Sequence, residues 1–184
     1  MNEEIVKINK KQTKILLNMI TTDNNEYGLI FKLCYIYGRL ISEVYQVNSD
    51  MIDFEKNTIN FKINDNYVEF NIHHSVKEDL KLQVKEHNGF IFHHIGLSNF
   101  DKFNKHLNYY LKKYDELYGV HISPRDFKKL RGQHLLCDGV DVNSITGLYC
   151  NGDNSATKRL IEYNNLLNLK EYSVNEILIM FTEV

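Results

Sequence analysis

One proline, Pro124, and one alanine, Ala156, occur in this chain of 184 residues. The proline belongs to a helix start, and the sequence has neither an internal repeat nor a low-complexity tract. No linker therefore offers itself as a domain boundary, and one domain over residues 1–184 is expected. Apolar runs stay well short of the roughly 18 to 20 residues of a bilayer span. The opening MNEEIVKINKKQ lacks the apolar stretch of a signal peptide. A cytoplasmic protein with no membrane partner is the expectation.

Cysteine is scarce. Cys34, Cys137 and Cys150 are an odd number without C-x-x-C spacing, which suggests neither a disulfide framework nor a zinc knuckle and suits small buried apolar side chains. There is no glycine-rich phosphate loop, no G-x-S-x-G and no Cys-His pair in a recognisable context, so nucleotide hydrolysis and acyl transfer have no support. A formal charge of −2 excludes a general coat of basic residues, and nucleic-acid binding would need a local patch. Arginine is also rare, with only Arg39, Arg125, Arg131 and Arg159 among 22 basic residues. That bias, with abundant Asn, Ile and Tyr, is typical of AT-rich coding sequence and makes each arginine more informative than a lysine.

What is present is a globular composition, 43% hydrophobic, 25% charged and 12% aromatic. Asn9 precedes a helix of about three turns with a stripe of Thr13, Ile15, Leu16 and Met19. A helix apolar on most sides follows over 27–37, ending at Gly38, and then a short one over 40–47. From Asn57 the period changes to two: T-I-N-F-K-I and Y-V-E-F-N-I flank an Asn/Asp turn, which predicts a hairpin. Next come a helix over 75–86, an extended piece at 90–92 and a long helix over 99–118, where Ser98 and Asp101 have capping-box spacing. Ser123-Pro124-Arg125-Asp126 predicts a helix start, with its stop at Gly139. Asp141 suits the cap of a short helix to Tyr149, Asn154 or Ser155 that of another through Leu166, and Ser173 that of a last one. The fold class is mainly α with a small antiparallel β-hairpin or sheet.

Basic residues cluster between Lys102 and Arg131, where eight basic and three acidic side chains give a local charge of +5. Lys102, Lys105, Lys112, Lys113, Arg125, Lys128, Lys129 and Arg131 are the candidates for DNA phosphate contact, against the alternative of solvated charged helix faces. The adjacent pairs His73-His74 and His93-His94 have no accompanying H-x-x-x-H or H-E-x-x-H, so neither metal nor cofactor is expected. The final apolar face, Val174, Ile177, Leu178, Met180 and Phe181, suits either its own domain or a neighbouring subunit.

Two strings carry a family resemblance. Gly38-Arg39-Leu40-Ile41-Ser42-Glu43, followed by Asp50-Met51-Ile52-Asp53 and the hairpin, is similar to a G-L-R-I-S-E segment with its downstream D-I-D and sheet. Ser123-Pro124-Arg125-Asp126-Phe127-Lys128-Lys129, then His134-Leu135-Leu136 and Gly139-Val140-Asp141-Val142, is similar to T-P-H-D-L-R-H-T-F-A-T-H-L-L followed by G-V-D-L. Together they resemble the catalytic domain of tyrosine recombinases, the phage-integrase family, over roughly residues 7–163. The resemblance implies that family's catalytic-domain fold, a double-stranded DNA partner and no separate N-terminal DNA-clamping domain.

It also implies where the chemistry should lie. Family members attack the scissile phosphate with a tyrosine while arginines, a lysine and histidine-type residues neutralise the developing charge. Here the first arginine's position holds Leu40 with Arg39 beside it, the first histidine's holds Arg125 and the second arginine's holds Lys128. Lysine keeps the charge but loses the planar fork that grips two phosphate oxygens. The later L-G-H aligns with Tyr149-Cys150-Asn151, and the nucleophile's position falls near Leu160, with Tyr163 about a turn beyond. Lys62 matches the family's loop lysine. The candidate set is thus Tyr163, Lys62, Lys128, Arg125 and Arg39, with most positions altered.

Three functions are open on this reading. One is a catalytically inactive DNA-binding protein, an accessory, architectural or regulatory factor of a mobile element. Another is a divergent recombinase or relaxase using Tyr163. The last is a protein-interaction module that pairs with itself or with a recombinase through the C-terminal helix and no longer binds DNA.

Overall fold

The computed structural model describes residues 8–96, 98–149 and 172–180. Its first helix, α1 (Lys10–Asp23), begins where Asn9 and Gln12 exchange side-chain to backbone hydrogen bonds of 2.9 Å. Such reciprocal capping satisfies two donors that the first turn leaves unpaired. The buried face is Thr13, Leu16, Leu17 and Ile20, whereas Ile15 and Met19 are exposed. The stripe expected from sequence is therefore rotated by about one position, onto the i, i+3, i+4, i+7 row.

Asn24 closes α1 and caps α2 (Asn25–Ile36), accepting the Tyr27 N–H at 2.9 Å. From Tyr27 to Ile36 every side chain except that of Lys32 is buried, so α2 is the central helix against which the rest packs. Phe31 stacks on Phe127 with ring centroids 4.8 Å apart. Gly38, at φ +61°, turns the chain out of α2 and into α3 (Ile41–Tyr45). A Cβ there would lie 2.4 Å from the Tyr149 ring, so glycine is required by both backbone and space.

Strands β1 (Ile52–Asp53), β2 (Thr58–Ile63) and β3 (Asn66–Asn71) form an antiparallel sheet in the order β1-β2-β3. Asn64 and Asp65 both have positive φ, as a two-residue hairpin turn with the right twist demands. The register pairs Ile59 with Phe70 and Phe61 with Val68, and Ile59, Phe61, Ile63 and Phe70 are buried. Lys62 alternates to the other face opposite Tyr67 and pairs with the exposed Asp65 at 3.2 Å.

Helix α4 (His74–Glu86) is capped by His73, and the 90–92 segment meets Asn48 in an isolated antiparallel bridge at Phe90. A single turn, His93–Gly96, leads to α5 (Phe100–Leu111). Here the sequence reading was off by one residue. Asn99, not Ser98, caps α5 by accepting the Lys102 N–H at 3.0 Å, while Ser98 sits at φ +59° in the preceding turn. The long helix expected to Tyr118 instead tightens at Lys112–Tyr114 and ends in the single turn α6 (Asp115–Tyr118) before Gly119 at φ +65°.

At α7 (Asp126–Cys137) the Asp126 carboxylate reaches back to the Ser123 N–H and hydroxyl, each at 2.8 Å, and Gly139 at φ +87° ends the segment. Asp141 caps α8 (Val142–Tyr149) through the N–H groups of Asn143 and Ser144. Ser173 and Glu176 form the capping box of α9 (Val174–Ile179), whose Ile177 and Leu178 are buried against this same chain. The helix expected between Asn154 and Leu166 lies outside the described residues. Among the described residues no helix is long and apolar enough to cross a membrane.

Candidate nucleic-acid interface

The basic residues singled out by the sequence separate into a buried set and an exposed set. Arg39, with 0% of its surface exposed, turns inward from the α2–α3 corner. Its Nε donates to the Tyr37 carbonyl at 2.8 Å and its Nη2 to the Leu148 carbonyl at 2.6 Å. Nη1 lies 3.9 Å from the Glu43 carboxylate, and the guanidinium carbon is 5.3 Å from the Phe70 ring centre. The adjacent Leu40, aligned with the family's first arginine, is 37% exposed. Neighbouring side chains in this turn point apart, so the one taken into the core leaves the other outside.

Helix α7 repeats the pattern. Lys128 is only 7% exposed and holds its ammonium 4.8 Å from the centre of the Tyr149 ring, while the Tyr149 hydroxyl donates to the Lys128 carbonyl at 2.6 Å. Arg131 is fully buried, with Nη2 donating to the Ile177 carbonyl at 2.7 Å and the guanidinium carbon 5.4 Å from the Tyr35 ring centre. His134 lies between the Tyr35 hydroxyl and the Ile8 carbonyl, both at 2.9 Å. Arg39, Lys128 and Arg131 therefore gather around Tyr35 and Tyr149. Burial raises the Tyr35 hydroxyl to about 12 despite the attraction of Arg131. Burial likewise raises the Tyr149 hydroxyl, opposed by Arg131 and Arg39. Both phenols stay protonated at neutral pH and act as hydrogen-bond donors or packing groups.

Phosphate contact and a solvated helix face both require these cations at the surface. For Arg39, Lys128 and Arg131 the structure replaces that placement with a buried one, because each uses backbone carbonyls or aromatic faces of the core. Arg125 and Lys129, four residues apart, are exposed at the start of α7. Lys102, Lys105, Lys112 and Lys113 are exposed along α5 and the turn after it. Lys113 is in close contact with the Asp23 carboxylate and sits 3.9 Å from the Tyr110 ring centre. That pair lines a cleft of about 590 Å³ together with Tyr27, His106, Tyr109 and Lys112. Lys62 is partly exposed on the sheet. Tyr163, Cys150 and Asn151 lie outside the described residues.

One cluster was missed by sequence reasoning. Glu26, His87 and His94 each offer a ligand atom, and these atoms lie within 4.8 Å of one another. The cluster does not follow the adjacent histidine pairs: His94 meets His87, seven residues back, and Glu26 of α2. Burial raises the Glu26 carboxyl to about 7.

Compared with known protein families and with curated proteins, the sequence matches none. Among solved structures the chain is similar to the integrase from mycobacterium phage Brujita, with a TM-score of 0.55 and 16% sequence identity. The match covers 85% of this chain and 57% of that one, so this chain spans less than two thirds of that integrase. The likeness shows an integrase-like fold, mainly helical with a small three-stranded antiparallel sheet.

Proposed function

We propose that this chain binds double-stranded DNA through its integrase-like fold without cleaving it, as an accessory, architectural or regulatory factor of a mobile element. The observation that carries the reading is the divided fate of the basic residues. Arg125 and Lys129 on α7, and the α5 lysines, remain outside where phosphates can reach them. Phosphate contact needs only such exposed cations and is indifferent to base sequence.

Strand cleavage asks for more. Charge developing on a phosphorane must meet donors already aimed at it. Arg39 is committed to the carbonyls of Tyr37 and Leu148, Leu40 offers no donor, and Lys128 faces Tyr149. A divergent active enzyme would need these cations to leave the core together. The test is a search for a covalent protein–DNA adduct on nicked and intact duplexes by denaturing electrophoresis. Binding with no adduct is the expected result. An adduct abolished by Tyr163→Phe would overturn the non-cleaving reading, and absence of DNA binding would favour the protein-interaction module instead.

A further inference from the structure

Three separate elements bring Glu26, His87 and His94 together. Glu26 lies in the first turn of α2, His87 is the C-cap of α4, and His94 lies in the turn before α5. Their backbones are fixed by interactions that do not involve the three side chains. Asp79 of α4 accepts from Asn25 at 3.1 Å and pairs with Lys32 at 3.5 Å, which pins α2 to α4. The segment between the histidines is held by Ser49 N–H to the Gly89 carbonyl at 2.9 Å and Ile91 N–H to the Val47 carbonyl at 3.2 Å. Gly89 makes its bend at φ +78°, and Ile91 and Phe92 are fully buried.

The side chains converge in an unusual way for a simple acid–histidine pair. Oε1 of Glu26 is buried and 2.7 Å from Nε2 of His94, yet it has no hydrogen-bond partner among the described residues. The imidazoles of His87 and His94 stack nearly parallel, with centroids 3.9 Å apart. A buried carboxylate oxygen without a proton donor carries a desolvation penalty, and a cation between the three donors would remove it. The Glu86 carboxylate lies near enough to act electrostatically on both Glu26 and His94.

We propose that Glu26, His87 and His94 bind a divalent transition-metal ion of the zinc class. Two neutral imidazoles and one carboxylate form a borderline N/O donor set suited to Zn²⁺ and its Co²⁺ substitute, and unlike the all-oxygen sets of Mg²⁺ or Ca²⁺. In a tetrahedral site with bonds of about 2.0–2.1 Å the donors stand about 3.3 Å apart. The present separations, at most 4.8 Å, close to that by side-chain rotation, chiefly by unstacking the two rings. His94 is exposed, which gives an ion a path in and leaves a coordination position for water. The ion joins the start of α2, the end of α4 and the entry to α5.

Co²⁺ titration of the metal-free protein, followed by visible absorption, tests this directly. Expected are saturable ligand-field bands at one ion per chain and a rise in the thermal unfolding midpoint with Zn²⁺ that EDTA reverses. His87→Asn with His94→Asn should weaken Co²⁺ affinity beyond the roughly 10–100-fold seen when only an outer-shell partner is disturbed. His73→Asn with His74→Asn should leave affinity and bands unchanged. Should the first double variant fail to fold by circular dichroism, Glu26→Gln serves in its place, with the same expected loss. No bands in the wild type, or equal binding by the His87/His94 and His73/His74 variants, overturns the site.

Discussion

Arg39 donates a 2.6 Å hydrogen bond to the carbonyl of Leu148, across 109 positions of sequence, and so ties the α2–α3 corner to the end of α8. An arginine beside the position where the resembled family keeps a catalytic one is here a brace of the core. Replacing it by methionine would remove the hydrogen bonds to the Tyr37 and Leu148 carbonyls and the positive charge beside Glu43. Arg39→Met should cost about 3 kcal/mol or more in urea unfolding. Leu40→Arg, at the exposed neighbour, should change stability by no more than about 0.5 kcal/mol. Equal effects of the two would contradict the opposite orientations.

Lys128 and Lys129 are adjacent in sequence and opposite in surroundings. Lys128→Glu buries a carboxylate against the Tyr149 ring, and a destabilisation of about 3–5 kcal/mol is expected. Lys129→Glu faces solvent and should shift stability by at most about 0.5 kcal/mol. Urea midpoints of the two variants check this, and they also decide which charge reversal can serve as a probe of DNA contact.

Gly38→Ala combines a left-handed backbone with a methyl group 2.4 Å from the Tyr149 ring. The backbone alone costs about 1–2 kcal/mol, and overlap adds to it. In a Tyr149→Ala background the penalty should shrink toward the backbone value, giving a coupling energy in a double-mutant cycle. Additive effects would show that the ring does not set the space.

His73 caps α4 with Nδ1, which accepts the Ser75 N–H at 3.2 Å and meets its hydroxyl at 2.7 Å. Burial, with repulsion from His74 and Arg131, lowers its pKa from 6.5 to about 4. The folded state therefore keeps it neutral where the unfolded chain already takes up a proton. Its contribution is full above pH 6.5 and is lost as the pH falls toward about 4, with a slope approaching 1.4 kcal/mol per pH unit. His73→Asn retains a capping oxygen and removes the titration. Urea unfolding at pH 7, 6 and 5 should give a shallower pH dependence for the variant, and an unchanged slope would exclude His73 as its source.

Local signals were legible in the sequence and remote ones were not. The helix start after Asn9, the Ser123–Asp126 pairing, the alternation around Asn64-Asp65 and the stops at Gly38 and Gly139 all involve neighbours a few residues apart, and they appear where the spacing put them. The α5 cap moved one residue because Ser98 takes a left-handed turn that its side chain does not announce. Burial of Arg39 and Arg131 was invisible because their acceptors, Leu148 and Ile177, come from distant helices. Clustering of charge along the chain suggested one basic surface. Helix α7 instead divides its cations between core and solvent: Lys128 and Arg131, three positions apart, share the buried face, whereas Lys129, one position on from Lys128, is exposed with Arg125 four positions before it. Glu26, His87 and His94 carried no spacing signal, for they meet only through the packing of α2 on α4 and the turn that follows.

DNA binding without a basic overall charge is tested most directly by fluorescence anisotropy on a duplex across a salt series. Log affinity should fall linearly with log salt, by about 0.9 for each phosphate neutralised. Arg125→Glu with Lys129→Glu should weaken binding and, by removing two contacts, reduce that slope by about 1.8 while leaving the fold intact. No binding by the wild type at low salt, or the same slope in the double variant, would contradict phosphate contact through α7.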